Sequence, residues 1–484
     1  MLVLFDNWTS FFRDKVVPWR IGLAEKLRTQ LETQVLPAFL DAKRWYAQKG
    51  EARSAILDYA IWSAGADSWL LAMVEVKGSL YFLPLALAWE DEEEKIKALS
   101  RATLARARRK ANVGVLADAV SDAGFCRQVV KAIGEAQSVT TRQGTLKFTP
   151  TSAFAALVPG DLATLSLSRP QALGTNSSVQ LGDRLFLKCY RRARPGVHAE
   201  VEIGRFLTEV ARFPHCALLA GTVEYAAAVG EPAALALLQA YVPNQGDGWT
   251  TTLSYLERFL KGPRGDEPHG AYLMLVQALA RRTAQLHGAL ATPSGNPAFE
   301  PERFSAQEMA QWKARIREEA RKSASGQKDA LLARIDACPL PAAPTLKTRH
   351  HGDYHLGQVL LSNNDFVIID FEGAPSQPLA EIRRKHSPLR DVAGMLRSFA
   401  AASSAALTRA AAEPGGEGNA AGNAAALAAW EAAARNAFVS AYAEAIRGRG
   451  IYESLDDVRG LLELAEIEKL LEALRHDIPV SGGG

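Results

Sequence analysis

The sequence predicts an α+β protein in which a strand-rich first half precedes a helical second half. Strand patterns separated by turn residues run from Ala52 to Trp89, and apolar strand runs return at Leu185–Leu187 and Ala234–Val242. Beyond that point apolar residues recur at helical spacing, for example along Ala271–Leu290. Runs of strands followed by runs of helices are typical of the α+β class.

The composition indicates ordinary globular domains. The chain has 484 residues, of which 48% are hydrophobic and 23% are charged, and this length can supply two or three cores. A net charge of +3 is small, so it gives no support for binding to nucleic acid. The basic segment Arg101–Lys110 has helical spacing among alanines and leucines, and we interpret it as the solvated face of a helix.

Four cysteines are spread widely along the chain and form no CxxC pair, so neither a zinc site nor a disulfide framework is indicated. No apolar run approaches the roughly 20 residues that cross a membrane. The first residues also lack the basic region of a secretion signal. These features predict a cytoplasmic protein without a membrane partner.

Three domains are expected along the chain. Residues 1–155 form an N-terminal cap, in which an amphipathic helix with apolar residues at every fourth position from Leu23 to Val35 precedes a small sheet. Residues 156–243 form a small β-rich domain. Residues 244–484 form a larger helical domain.

The stretch His351–Gly373, HGDYHLGQVLLSNNDFVIIDFEG, has a layout suited to phosphoryl transfer. Asp353 is followed five residues later by Gln358, and the apolar run Phe366–Ile369 leads to Asp370. Transfer from ATP needs a carboxylate that orients and deprotonates the acceptor hydroxyl, and oxygen ligands that hold Mg²⁺. Asp353 suits the first role, and Gln358 and Asp370 suit the second. A hairpin would bring these groups together.

This stretch resembles the aminoglycoside and choline kinase branch of the protein-kinase-like fold. More narrowly, the runs HGDYHLGQVLL, RRKHSPLRDVAGMLRSFA and NQGDGW are similar to those of maltokinases, and together they cover most of the chain. The resemblance implies a bilobal protein-kinase-like fold with an α/β cap. It also implies ATP and Mg²⁺ as cofactors, and phosphorylation of maltose at its anomeric hydroxyl to give maltose 1-phosphate.

Within that resemblance, the small domain supplies the phosphate contacts. Lys188 ends the apolar strand that begins at Leu185, and we expect it to contact the α and β phosphates. The glycine-rich GxGxxG loop of protein kinases is missing. The hydroxyls of Ser177 and Ser178, in the turn before the strand, are expected to bind phosphate oxygens together with backbone amides.

A glutamate in the following helix should pair with the phosphate-contacting lysine. Glu200 and Glu202 are both candidates on opposite sides of that helix, and the resemblance favours Glu202. The adenine ring is expected to bind main-chain groups near Gln239, Tyr241 and Val242.

The sugar contacts are the least determined part of the site. The histidines beside Asp353 fit hydrogen bonds that brace the loop better than a metal pair. The candidates for contact with the sugar are His351, His355, Glu372, Arg383 and Lys385. The neighbouring Arg390–Asp391 pair is interpreted as structural, because a carboxylate in this helix commonly holds the catalytic loop in kinase-like folds.

Two other functions stay open. One is a kinase for another hydroxyl acceptor of the aminoglycoside or choline type, although the basic region Arg383–Arg390 argues against a cationic acceptor. The other is a non-catalytic module that docks a trehalose synthase, because the opening MLVLFDNW resembles the junction in fusions of trehalose synthase with maltokinase. We therefore expect a trehalose synthase as a fused or associated partner. Whether Met1 is the native start stays open.

Overall fold

The computed structural model describes residues 2–4, 7–50, 53–158, 160–169, 175–262, 269–323, 328–374, 376–412 and 419–476. The chain divides into two compact units. The first unit comprises Met1–Arg205 and Leu218–Tyr241, and the second comprises Phe206–Ala217 and Val242–Gly484. The residues predicted as a cap and most of those predicted as a small β-rich domain therefore fall in the same unit.

Within its described residues, the first unit contains two seven-stranded sheets. Its strands are β1 (Leu2–Leu4), β2 (Ala55–Ala64), β3 (Asp67–Val76), β4 (Ser79–Trp89), β5 (Thr103–Arg109), β6 (Asn112–Asp118), β7 (Ser138–Thr140), β8 (Gly144–Pro150), β9 (Leu167–Ser168), β10 (Ser177–Leu181), β11 (Leu185–Cys189), β12 (Arg192–Ala193), β13 (Leu219–Ala227) and β14 (Ala233–Ala240). Its helices are α1 (Ile21–Gln30), α2 (Leu36–Asp41), α3 (Glu93–Leu99), α4 (Ala123–Gly134), α5 (Phe154–Leu157) and α6 (Ala199–Arg205).

The first sheet has the strand order β1-β5-β6-β4-β3-β2, with β12 paired to β4. We call this sheet, with α1 to α4, the cap. The predicted β3–β4 hairpin is present, and Lys77 and Gly78 have φ angles of 46° and 74°, as a two-residue turn requires. The predicted N-terminal helix is also present, because one π turn joins α1 to α2 and Leu27, Leu31 and Val35 are buried.

The helix predicted over Arg101–Lys110 is wrong, because this segment forms β5. Ala105 and Ala107 are buried on one face, while Arg106 and Arg108 alternate with them. The strand pairs antiparallel with β6, so burial of the alanines in the cap overrides their helical spacing.

The second sheet has the order β7-β8-β13-β14-β11-β10-β9. Its apolar face shares one core with the cap, since Leu187 and Val223 belong to the same buried cluster as Trp62, Phe82 and Phe125. The strand β8 pairs with β13, so this sheet includes residues on the N-terminal side of the expected boundary at 155. The expected boundary at 155 therefore lies within one unit that shares a core.

The second unit is mainly helical. It contains α7 (Gly248–Lys261), α8 (Gly270–Leu290), α9 (Ala306–Lys322), α10 (Lys328–Ala337), α11 (Leu379–Ile382), α12 (Leu389–Ala411), α13 (Ala420–Ile446) and α14 (Arg459–His476), with the short strands β15 (Glu302–Phe304), β16 (Thr345–Lys347), β17 (Val359–Ser362) and β18 (Asp365–Ile368). Trp430, Phe438 and Tyr442 of α13 are fully buried, so these aromatic residues belong to the core.

The four cysteines are free and buried. They are Cys126, Cys189, Cys216 and Cys338. Among the described residues, no helix is long and apolar enough to span a bilayer.

Candidate active site

The first unit carries a buried ion pair at the end of β11. The Lys188 ammonium lies 2.8 Å from Glu200 Oε2, and the Tyr190 hydroxyl donates to the same oxygen at 2.6 Å. Lys188 is 8% and Glu200 4% exposed, so each charge depends on the other for stabilisation. The lysine is thereby held in one orientation, which is the role of such a pair in phosphate binding.

The choice of Glu202 as the partner of Lys188 is therefore wrong. Helix α6 begins at Ala199, and its inward face carries Glu200 together with Ile203 three residues later. Glu202 is only partly buried. The expectation that the two glutamates lie on different sides of the helix is correct, but the side facing Lys188 belongs to Glu200.

The two serines before this strand lie on opposite faces of the sheet. In the β10–β11 register Ser178 is opposite Lys188, while Ser177 is opposite Cys189. Directly opposed residues point to the same face, so Ser178 shares the face of Lys188 and Ser177 does not. The Ser177 hydroxyl instead accepts a 2.7 Å hydrogen bond from Arg191 Nε. The prediction that both hydroxyls bind phosphate is corrected for Ser177 and stays a prediction for Ser178.

The residues expected near the adenine ring lie where the chain leaves the first unit. Gln239 is in β14, opposite Phe186 of β11. The Tyr241 N–H donates to the Arg184 carbonyl at 2.8 Å, and the Val242 carbonyl accepts from the Asn244 side chain at 2.8 Å. The backbone groups of Tyr241 and Val242 that make these bonds are engaged within the protein, and adenine binding at this segment stays a prediction.

In the second unit the predicted hairpin is formed by β17 and β18. Its turn residues Asn363 and Asn364 have φ angles of 51° and 59°, values that asparagine tolerates and that suit a two-residue hairpin turn. The hairpin returns the chain to its starting point, where the Ile369 N–H donates to the Gln358 carbonyl at 3.0 Å. Gln358 and the residue before Asp370 are thus directly hydrogen bonded.

The loop His351–Gln358, which we call the HGD loop, is held by hydrogen bonds to one buried carboxylate. Asp391 of α12 accepts the His351 N–H at 2.7 Å and the Gly352 N–H at 3.0 Å. Burial raises the pKa of this carboxyl. The hydrogen bond from His287 and the charges of the nearby histidines lower the pKa by more than burial raises it, so the pKa lies below the usual range. The structural interpretation of Asp391 is confirmed, whereas Arg390 pairs with Glu468 at 2.8 Å.

The ring of His351 joins the two parts of this site. Its Nδ1 accepts the Asp353 N–H at 3.4 Å and its Nε2 donates to the Ile369 carbonyl at 2.9 Å. The ring is 1% exposed, so His351 braces the loop and the suggested sugar contact is not supported. His355 also braces the loop, because its Nδ1 accepts the Gly357 N–H at 3.0 Å. Its Nε2 lies 3.9 Å from Asp353 Oδ2.

The two predicted Mg²⁺ ligands suit a hard cation. Gln358 and Asp370 offer an amide and a carboxylate oxygen, both side chains are partly exposed, and the cation prefers such oxygen donors. The Glu372 carboxylate lies within 4.8 Å of that of Asp370, so it is a further oxygen donor near the predicted Mg²⁺ ligands, and its contact with the sugar stays a prediction. Asp370 itself has a φ angle of 67°, in the left-handed region.

The basic segment after α11 is neutralised inside the second unit. Lys385 donates to Glu302 at 2.6 Å and to the Pro297 carbonyl at 2.6 Å, and Arg384 pairs with Glu381. Lys385 is therefore a structural residue, and its suggested contact with the sugar is wrong. The role of Arg383 toward the sugar stays a prediction.

Comparison with known proteins identifies the family to which the chain belongs. A family model described as the phosphotransferase enzyme family matches residues 170–415, about half of the chain. The chain belongs to the phosphotransferase enzyme family. A glucosamine kinase of Streptacidiphilus jiangxiensis is 27% identical over 262 residues, covering 51% of this chain and 55% of that protein. A glucosamine kinase of Mycolicibacterium smegmatis is 29% identical over 314 residues, covering 62% of this chain and 73% of that protein.

The chain spans little more than half the length of the first of these relatives. The structure of a glucosamine kinase in complex with glucosamine, ADP and inorganic phosphate matches 92% of this chain and 94% of that protein, with a TM-score of 0.59 and 21% identity. The match confirms the α+β, kinase-like fold. The prediction of a phosphotransferase is confirmed by the family match.

Several residues that support the candidate site through hydrogen bonds were not anticipated from the sequence. Tyr190 donates to the carboxylate that holds Lys188, Ser398 accepts the Leu356 N–H at 2.9 Å, and Thr283 bonds the Tyr354 hydroxyl at 2.9 Å. Only Tyr190 could have been found from the local sequence, because it lies two residues beyond Lys188 and the alternation of side chains along a strand places both on the same face. The other two are far in sequence from the groups they support.

Proposed function

We propose that the protein is an ATP-dependent sugar kinase that transfers the γ-phosphoryl group to the anomeric hydroxyl of maltose. The observation that carries the kinase assignment is the HGD loop with its hairpin. Hydrogen bonds that join His351 and Gln358 to Ile369, the residue before Asp370, connect the predicted base and the predicted Mg²⁺ ligands. Phosphoryl transfer from a nucleotide uses such a set, a carboxylate that orients the acceptor and oxygen ligands for Mg²⁺.

Each residue then has a role that its surroundings favour. Asp353 accepts the proton of the attacking hydroxyl and orients it, since its carboxylate is partly exposed while its backbone is fixed by His351. Gln358 and Asp370 would hold Mg²⁺, which supplies charge neutralisation on the phosphates when bound. Lys188, held by Glu200, would pair with the phosphates of the nucleotide.

Maltose as the acceptor rests on the similarity of three sequence runs to those of maltokinases. Glucosamine is the second candidate, because the two relatives described above are glucosamine kinases. The argument against a cationic acceptor is weaker than the sequence suggests, since Lys385 and Arg384 are neutralised by ion pairs. The acceptor is therefore a matter for direct measurement.

The test is a phosphorylation assay with ATP and Mg²⁺ on maltose, glucosamine, glucose, trehalose, choline and an aminoglycoside. The position of the phosphate on the product is read by NMR. Phosphate at C1 of maltose, with much weaker transfer to glucosamine, is the expected result. Preferred transfer to glucosamine would replace maltose while keeping the kinase assignment. Absence of transfer to every acceptor would refute the proposal.

A trehalose synthase as partner is proposed on the resemblance of the N-terminal residues alone. Removal of residues 1–50 is an unsuitable test, because Trp8, Phe11 and Phe12 are buried in the cap core. Trp19 is 78% exposed and is a better site for substitution. Trp19→Ser is expected to weaken co-purification with a trehalose synthase without lowering the melting temperature. Unchanged co-purification would argue against docking at this residue.

A further inference from the structure

The cap reaches the start of β10 through a buried arginine. Arg191 follows β11 and is 2% exposed, and its Nη2 lies 2.5 Å from Asp118 Oδ2. Its Nε donates to Ser177 Oγ at 2.7 Å. Asp118 is the last residue of the cap strand β6, whereas Ser177 is the first residue of β10. One guanidinium therefore links a cap strand to the strand that carries Ser178.

The backbone of the same residue is also fixed to the cap. The Arg191 carbonyl accepts the Phe82 N–H at 2.9 Å, and the next residue, Arg192, pairs with Tyr81 of β4. Arg191 lies three residues after Lys188 and directly before β12, so the chain passes from the strand that carries Lys188 into the cap sheet within a few residues. Main chain and side chain together leave Arg191 little freedom.

The aromatic and basic segment RWYAQKG, which has no place in the chemistry proposed above, packs around this arginine. The Trp45 ring lies 5.3 Å from the Arg191 guanidinium, and Trp45 and Tyr46 both pack against Tyr81. Covering the guanidinium with an aromatic face excludes water and strengthens its hydrogen bonds. The segment thus protects the link between Asp118 and Ser177.

The consequence for the site follows from alternation in β10. Because Arg191 holds Ser177 on the cap side, Ser178 is fixed on the opposite face, where its register partner Lys188 lies. We propose that Arg191 is a positioning residue for the nucleotide phosphates, through which the cap fixes the start of β10 at Ser177 and Ser178. This inference rests on the proposed binding of ATP at Lys188.

The experiment compares Asp118→Asn and Ser177→Ala with a matched control, Asp122→Asn, in the full-length chain. Asp122 is also a buried cap carboxylate, but it accepts from Trp69 Nε1 and caps α4. Kd for MgADP, KM for ATP, KM for the sugar, kcat and the melting temperature are measured for each variant.

Asp118→Asn and Ser177→Ala are each expected to raise KM for ATP and Kd for MgADP about tenfold, equivalent to about 1.4 kcal/mol. KM for the sugar and kcat should change by less than about twofold, because the HGD loop is intact. The double variant should show no further loss, since both substitutions break one link. Asp122→Asn is expected to lower the melting temperature without changing nucleotide affinity.

An unchanged nucleotide affinity in Asp118→Asn and Ser177→Ala would overturn the inference, whatever the melting temperature. Ser177→Ala keeps the test decisive if Asp118→Asn unfolds, because Asp118 also accepts the Val120 N–H and Ser177 has no such second role in the described contacts. A wild-type protein that bound no MgADP would instead refute the proposed function and, with it, the inference.

Discussion

Replacing Glu200 with alanine would leave the Lys188 ammonium buried without the carboxylate that it faces at 2.8 Å. Removing one partner of a buried ion pair costs about 3–5 kcal/mol. A unit of this size loses about 2–4 °C of melting temperature per kcal/mol, so we expect the melting transition of the first unit to fall by about 10 °C. Nucleotide affinity should fall as well, because Lys188 is no longer held in one orientation.

Glu202→Ala is the matched control, since it removes the same group from the same helix. Glu202 is only partly buried, so its replacement should cost no more than about 0.5–1 kcal/mol. Differential scanning calorimetry and titration with MgADP measure both effects. Equal losses of stability and affinity in the two variants would refute the assignment of Glu200 as the partner of Lys188.

Three further results are expected. Asp353→Asn should keep MgADP affinity within about twofold and lower kcat by orders of magnitude; near-native turnover in a kinase assay would remove Asp353 as the base. Gly394→Ala should destabilise the protein by about 1–3 kcal/mol in urea unfolding and slow turnover, because its Cβ would lie 2.5 Å from the Tyr354 carbonyl of the HGD loop; a neutral effect would show that α12 can move away. The lowered pKa of Asp391 means that its contribution to stability is present above the unfolded pKa of about 4 and is lost as pH falls toward its folded pKa. The free energy of unfolding measured in urea should therefore fall below about pH 4 in the wild type, and Asp391→Asn should show a smaller fall. Equal pH profiles in the two proteins would contradict this role of Asp391.

The HGD loop and its hairpin could be predicted because their determinants are local. Asp353, Gln358 and Asp370 lie within one short stretch, and the Asn363–Asn364 turn returns the chain to Gln358. A two-residue hairpin fixes its register through the turn itself, so the turn alone returns the chain to Gln358.

The residues that failed to follow the prediction depend on tertiary packing. Arg106 and its neighbours form a strand because the alanines between them are buried in the cap, and Lys385 is structural because Glu302, distant in sequence, lies beside it. Likewise the side of α6 that faces Lys188 depends on how the helix packs, which places Glu200 inward. Periodicity gives the relative directions of side chains in an element, but tertiary packing decides which direction is inward.

The left-handed backbone at Asp370 restricts this position on conformational grounds alone. A φ angle of 67° is unfavourable for most residues, whereas aspartate and asparagine adopt it several times more often than other non-glycine residues. The carboxylate proposed as a Mg²⁺ ligand and the backbone that turns the chain after β18 therefore favour the same small set of amino acids. Asparagine is consequently the replacement that removes the charge while keeping the turn. Alanine would remove the charge and strain the turn, whereas glutamate would keep the charge and strain the turn.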